Sequence, residues 1–182
     1  MSATRRLFFG LELPSALQKE IIGWRAEQFA PDAGIPVAAA SLHITLAFLG
    51  EVSAQKQAAL MAQAGRIRQP SFTLNLNDAG HWPRSRVVWL GSNSPPRGLL
   101  QLASMLRAQA ARSGCPQPYG AFHPHVTLYR QAPSDVSLPA PGFCWHHEVE
   151  EFVLFESGAS GGRTRYRTLA RWPLTSSRPS ET

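Results

Sequence analysis

Apolar positions along this chain follow two rhythms, one of period two and one of period three to four, and their succession outlines an α+β fold. Residues 6–13, RLFFGLEL, read as a strand that stops at Pro14. Leu17, Ile21 and Trp24 then share one side of a helix running to about Phe29. Pro31 and Pro36 mark a loop, and 41–49 reads as a second strand. A helix follows over 51–68, with Ser53 suited to cap its start. Phe72, Leu74 and Leu76 alternate with Thr73 and Asn75, the pattern of a half-buried strand, and 86–90 (RVVWL) is another. Leu99, Leu102, Leu106 and Ala110 recur at helical spacing over 98–112, and Gly114 is a natural stop. Residues 125–130, 148–155 and 164–172 read as strands, and 176–182 are expected to fray.

Strands and helices recur in both halves of the chain, and no Pro/Gly/Ser linker divides them. The expectation is one domain over 1–182, folded as two lobes. At 43% hydrophobic residues there is enough apolar material for a core. No apolar run approaches the roughly 20 residues of a membrane span. The N-terminal stretch is interrupted by Glu12 and makes a poor signal peptide. Cys115 and Cys144 cannot form a disulfide scaffold, neither has an obvious partner base, and both read as reduced structural residues. A soluble cytoplasmic monomer, with no membrane partner, is expected.

Charge narrows the choice of partner. Lys and Arg number 18 against 12 Asp and Glu, a net charge of +6, and all but Lys19 and Lys56 are arginine. Between Val52 and Ser134 the single acid is Asp78, against nine bases. Arginine's planar fork of donors suits phosphate, so a polyanion such as RNA is the favoured partner.

The chemistry lies in a repeated tetrapeptide: His43-Ile44-Thr45-Leu46 and His125-Val126-Thr127-Leu128. On a strand, side chains alternate faces, so each copy sets an imidazole beside a hydroxyl and anchors both with apolar neighbours behind. One copy is weak evidence; two copies in the same apolar frame are strong. Two imidazoles facing one cleft suit a phosphodiester. A neutral ring takes a proton from the attacking oxygen and a protonated ring gives one to the departing oxygen. The threonine hydroxyls can hydrogen-bond the non-bridging oxygens. The scheme calls for neither metal nor cofactor. His123-Pro124-His125 has a spacing seen at zinc sites, but no third ligand or carboxylate cluster accompanies it, so His123 reads as a structural or orienting neighbour. Gly158–Gly162 reads as a hairpin, since the Lys-Ser/Thr of a phosphate loop is missing.

With these motifs the chain resembles the two-histidine (2H) phosphoesterase superfamily and, within it, the bacterial RNA 2′,3′-cyclic phosphodiesterase or 2′-5′ RNA ligase family. RLFFGLELP, LHITLAFLGEVS, RSRVVWLG, FHPHVTLYR and GRTRYRTLARW carry the likeness over nearly the whole length. The resemblance implies a bilobal fold of two pseudo-symmetric lobes, each with an antiparallel sheet and helices, around a central groove. It implies that His43 and His125 are the two catalytic imidazoles and that Thr45 and Thr127 bind phosphate. It further implies that His43 donates a proton to the leaving 3′ oxygen while His125 activates water. The two copies are near-equivalent, so the sequence does not decide that order. The implied reaction opens a terminal 2′,3′-cyclic phosphate on RNA to a 2′-phosphomonoester. A related 2′-5′ ligation would join RNA ends such as tRNA halves.

Two further residues are candidates for substrate binding. Arg130 follows the second motif and would reach phosphate only if a bulge or strand end turned it from the Val126 face. Phe9, Phe48, Trp89 and Tyr129 each offer a stacking surface for a base, though each also suits a core; Phe48 is taken as the substrate-binding candidate. The alternatives are a phosphodiesterase for small nucleotide cyclic phosphates and a non-catalytic RNA-binding module.

Overall fold

A computed structural model of the chain describes residues 3–160 and 163–176. Among them the first strand is β1 (Thr4–Glu12), followed by helix α1 (Ser15–Gln28), a two-residue strand β2 (Ile35–Pro36) and the long β3 (His43–Ser53). Helix α2 (Ala54–Ala64) leads to β4 (Phe72–Leu76), β5 (Asp78–Trp82) and β6 (Val87–Gly91). Helix α3 (Arg97–Arg112) precedes β7 (His125–Arg130), β8 (Trp145–Val149), β9 (Glu151–Ser160) and β10 (Arg163–Pro173).

The α+β class is as the sequence indicates, but the strands of the two halves are not carried on separate sheets. One antiparallel sheet runs β10-β9-β1-β3-β7-β6-β5, with β2 added on β7, and β4 and β8 form a separate pair. The two motif strands are neighbours at its centre, joined at the Ile44–Val126 pair. That junction joins segments far apart in the chain, so no periodicity within either half reports it.

Other boundaries also shift. The helix expected from 51 begins at Ala54, because β3 continues pairing with β1 as far as Ser53. Ser53 does cap it: its Oγ accepts from the Lys56 N–H at 3.2 Å. The strand expected over 148–155 is two strands, β8 and β9, which pair with β4 and with β1 and β10 respectively. β5, DAGHW, has no clean alternation to mark it in the sequence; its pairing with β6 makes it a strand. β9 and β10 form the expected hairpin, whose glycine tip lies outside the described residues, as does the tail beyond Ser176. Gly114, just past α3, has φ +83, the left-handed conformation that ends the helix.

Leu99, Leu102, Leu106 and Ala110 of α3 are fully buried, and α3 packs on β3. Ile44, Leu46, Val126 and Leu128 lie in the same buried cluster. Burying each such side chain is worth about 1.5–3 kcal/mol. A one-residue slip of either motif strand would exchange its faces and lose that burial. The apolar residues behind the motifs therefore fix which face the histidines take.

Gly80 holds the second half of the sheet by close approach. A Cβ there would sit 2.2 Å from the Trp89 indole, and Trp89 is the registered partner of Thr127. Gly80→Ala is expected to cost about 1–3 kcal/mol through overpacking. A thermal melt should show the midpoint several degrees lower; an unchanged midpoint would mean that the indole gives way freely.

Candidate active site

Ile44 and Val126 are matched partners in the antiparallel contact between β3 and β7. Residues flanking such a pair share the opposite face of the sheet. His43 therefore lies across from Thr127, and Thr45 across from His125. The four polar side chains form a quartet related by a local two-fold axis through the Ile44–Val126 pair. All four line one groove of about 1220 Å³.

The same symmetry extends into two bulges. In β3 the register runs from Phe9–Ala47 to Gly10–Thr45, leaving Leu46 as the extra residue. In β7 it runs from Val88–Tyr129 to Trp89–Thr127, leaving Leu128 extra. Each bulge is the third residue after its histidine, and each reverses the side-chain phase that follows. Ala47 and Tyr129 turn into the core, and the next residues, Phe48 and Arg130, turn out to the groove. Phe48 is 59% exposed. The bulge needed to bring Arg130 to the groove is thus present, and its two-fold counterpart brings Phe48. Phe9, Trp89 and Tyr129, the other stacking candidates, are buried.

Both imidazoles are held in the same tautomer. His43 Nδ1–H donates to the Ser41 carbonyl at 2.7 Å, and His125 Nδ1–H donates to the His123 carbonyl at 2.8 Å. A carbonyl only accepts, so the proton on each Nδ1 is assigned by chemistry. Each Nε2 is left to accept or donate. In the neutral His43 ring it accepts from the Thr45 hydroxyl at 2.9 Å. The orienting partner in each half is the backbone carbonyl two residues upstream, and a carbonyl leaves no signature in a residue sequence. His123 serves through that carbonyl, while its ring packs on Trp82 and Trp89.

Burial pushes the His43 imidazolium down to about 4; the Ser41 carbonyl opposes this, and the positive charges of Arg130 and His125 add to it. His125 is lowered by the same cause, opposed by the His123 carbonyl and assisted by the His123 charge. Both rings are therefore neutral near neutral pH.

Aromatic side chains supply that desolvation, and they are not among the four stacking candidates that the sequence offers. Phe8, Tyr166 and Phe155 surround His43 with ring centroids at 5.0, 4.9 and 5.7 Å. Trp82 meets His125 edge to face at 4.6 Å. Tyr166 also accepts from Arg130 Nη2 at 2.9 Å, which tethers the guanidinium over the His43 side. Tyr166 comes from β10, more than 100 positions from His43, so only sheet pairing brings it there. Among the described residues, no three His, Cys, Asp or Glu side chains group as a metal ion requires.

Cys144 departs from expectation. Both cysteines are free, but only Cys115 is buried. Cys144 is exposed, with its Sγ 3.8 Å from His146 Nε2, and His146 Nδ1–H donates to Asn75 Oδ1. The pairing of Asn75 with His146 across β4 and β8 assembles these groups.

Paired imidazoles of fixed tautomer, each beside a hydroxyl and with a cation at hand, define an acid–base site for phosphoester chemistry. The chain belongs to the 2′-5′ RNA ligase superfamily, whose profile matches residues 13–152. It is 61% identical to the RNA 2′,3′-cyclic phosphodiesterase of Escherichia coli K12 over 96% of this chain and 99% of the relative. A protein of the same description from Thermus thermophilus is 28% identical over 93% of this chain and 90% of the relative. Among solved structures, E. coli LigT complexed with 3′-AMP superposes with a TM-score of 0.91 at 61% identity, covering 94% of this chain and 99% of that one. LigT complexed with NADP+ gives a TM-score of 0.90 at 60% identity, covering 96% and 99%.

Proposed function

We propose that this chain is an RNA 2′,3′-cyclic phosphodiesterase, opening the terminal cyclic phosphate to a 2′-phosphomonoester within a single domain. The observation that carries the reading is the pair of Nε2 atoms, one from each of two adjacent strands, lining one groove with both Nδ1 atoms engaged behind them. A cyclic phosphate seated over the quartet presents its non-bridging oxygens to the Thr45 and Thr127 hydroxyls and to Arg130. His125 Nε2 takes a proton from water as the water attacks phosphorus. The bond to the 3′ oxygen breaks, and His43 Nε2 gives that oxygen its proton. The phosphate remains on the 2′ oxygen. This order of roles follows the family pattern. The proton on His43 must be recruited by the bound anion, since burial removes it from the free enzyme.

Several observations support an RNA end as substrate. The groove carries Arg5, Arg6, Arg107 and Arg130 against Glu51 and Glu156. Phe48 offers an exposed ring beside the quartet. The ligands of two of the E. coli LigT structures are 3′-AMP, with a phosphomonoester on a ribose 3′ oxygen, and NADP+, with one on a ribose 2′ oxygen. The latter is the position at which the proposed product keeps its phosphate. The same groups would serve 2′-5′ ligation, as on tRNA halves, with the 5′-hydroxyl of a second RNA end in the place of water: His125 takes its proton as it attacks phosphorus, the bond to the 3′ oxygen breaks, and His43 protonates that oxygen.

The direct test incubates the protein with RNA ending in a 2′,3′-cyclic phosphate in the presence of EDTA and locates the phosphate in the product. The expected product carries it on the 2′ oxygen at an undiminished rate. A 3′-phosphate, or RNA binding without turnover, would refute the assignment.

A further inference from the structure

We infer that the groove continues past the phosphate site into a second nucleotide subsite, where Tyr119 stacks on the base immediately 5′ of the nucleotide bearing the cyclic phosphate. The inference rests on the reading of the groove as a site for RNA cyclic-phosphate ends. In such an end both the 2′ and 3′ oxygens belong to the phosphate ring, so the rest of the RNA leaves through the 5′ oxygen, away from the histidines. The groove is large enough to follow it: about 1220 Å³, against roughly 300–1,000 Å³ for an ordinary small-molecule pocket.

One wall of the groove is the segment between α3 and β7. It contributes Gln117, Pro118, Tyr119, Ala121 and Phe122 to the groove. Tyr119 is fully exposed, at 105%. It and Phe48 are the two exposed large aromatic residues among the described ones, and both line this groove. An aromatic ring left wholly in water gains nothing for the fold, but it is an available face for a base.

The backbone beneath Tyr119 is pinned from two sides. Gln117 Nε2 donates to the Phe48 carbonyl at 2.7 Å, which ties this segment to the strand that carries Phe48. Arg107 Nη2 donates to the Pro118 carbonyl at 2.9 Å, and its guanidinium lies over the Phe122 ring at 5.7 Å. The two exposed rings are therefore linked through a short hydrogen-bonded path, one ring for the terminal base and one for its 5′ neighbour. Arg5, Arg6 and Arg107 provide cations in the same groove for the phosphate that joins the two nucleotides. The catalytic quartet needs none of these groups, whereas a second nucleotide uses them all.

The experiment compares kcat/KM for a dinucleotide ending in a 2′,3′-cyclic phosphate with that for a mononucleoside 2′,3′-cyclic phosphate at one fixed salt concentration. Wild type is expected to favour the dinucleotide. In Tyr119→Ala that preference should fall at least about fivefold, chiefly through KM, as loss of one stacked base predicts. Tyr119→Phe should keep it. Wild type should also favour a purine over a pyrimidine at the upstream position, and Tyr119→Ala should flatten that difference; a merely structural role would leave it in place. A preference ratio that Tyr119→Ala leaves unchanged, or no preference in wild type, overturns the subsite while leaving the cyclic-phosphate reading intact. Failure to turn over either substrate overturns both.

Discussion

Removing either imidazole, by His43→Ala or His125→Ala, is expected to lower the rate of cyclic-phosphate opening by about 10²–10⁴-fold with the fold retained. The fold should survive because both side chains stand on the groove face, while the buried anchors Ile44 and Val126 are untouched. Circular dichroism and a thermal melt would check this. The two losses should not add: once one ring is gone, the other has no concerted partner, so the double variant should resemble the worse single one. Leaving-group chemistry then separates the roles. A p-nitrophenyl phosphodiester departs without needing a proton, so the variant lacking the acid should lose less on it than on the RNA end. If His43 is the donor, His43→Ala is the variant spared. Sparing of His125→Ala would reverse the assignment, and full activity in both variants would remove the site.

Anion binding should be coupled to proton uptake, and strongly. Burial holds His43 at about 4. A bound dianion favours the imidazolium and raises that value. Between about 4 and the raised value, the complex holds a proton that the free protein lacks. Affinity should therefore weaken as pH rises, by up to tenfold per unit within that window. Sulfate is the suitable probe because it stays a dianion throughout, so any slope belongs to the protein. Its inhibition constant, followed between about pH 5 and 7, should climb. His43→Ala should flatten the climb if His43 carries the proton. A slope that survives in His43→Ala and vanishes in His125→Ala would place the proton on the other ring. A flat profile in wild type would show that neither ring takes up charge with the ligand.

The asymmetry of the two halves has a simple structural root. The bulges after the motifs are equivalent, and each turns outward the fifth residue after its histidine. In the first half that residue is Phe48 and in the second it is Arg130. One backbone device, used twice, thus sets an aromatic ring in the groove beyond the first motif and a cation in the groove beyond the second. Under the proposed function that division suits a cyclic nucleotide, whose base and phosphate differ in chemistry. The local two-fold pairs the imidazoles, and the side chains beyond the bulges break the symmetry.

Much of this was legible in local pattern. The apolar spacing of Leu99, Leu102 and Leu106 marks α3, and the two His-x-Thr repeats mark the candidate reacting groups, since period-two alternation assigns a face without any knowledge of neighbours. The need for a bulge before Arg130 was also legible, as a conflict between alternation and role. Tertiary structure alone decided the rest. It set β3 beside β7, brought Tyr166 and Trp82 against the imidazoles, presented the Ser41 and His123 carbonyls to Nδ1, and gathered Asn75, His146 and Cys144. The physical reason is that a side chain's face follows from its own strand, whereas its neighbours, and with them its protonation, follow from pairing between segments far apart in the chain.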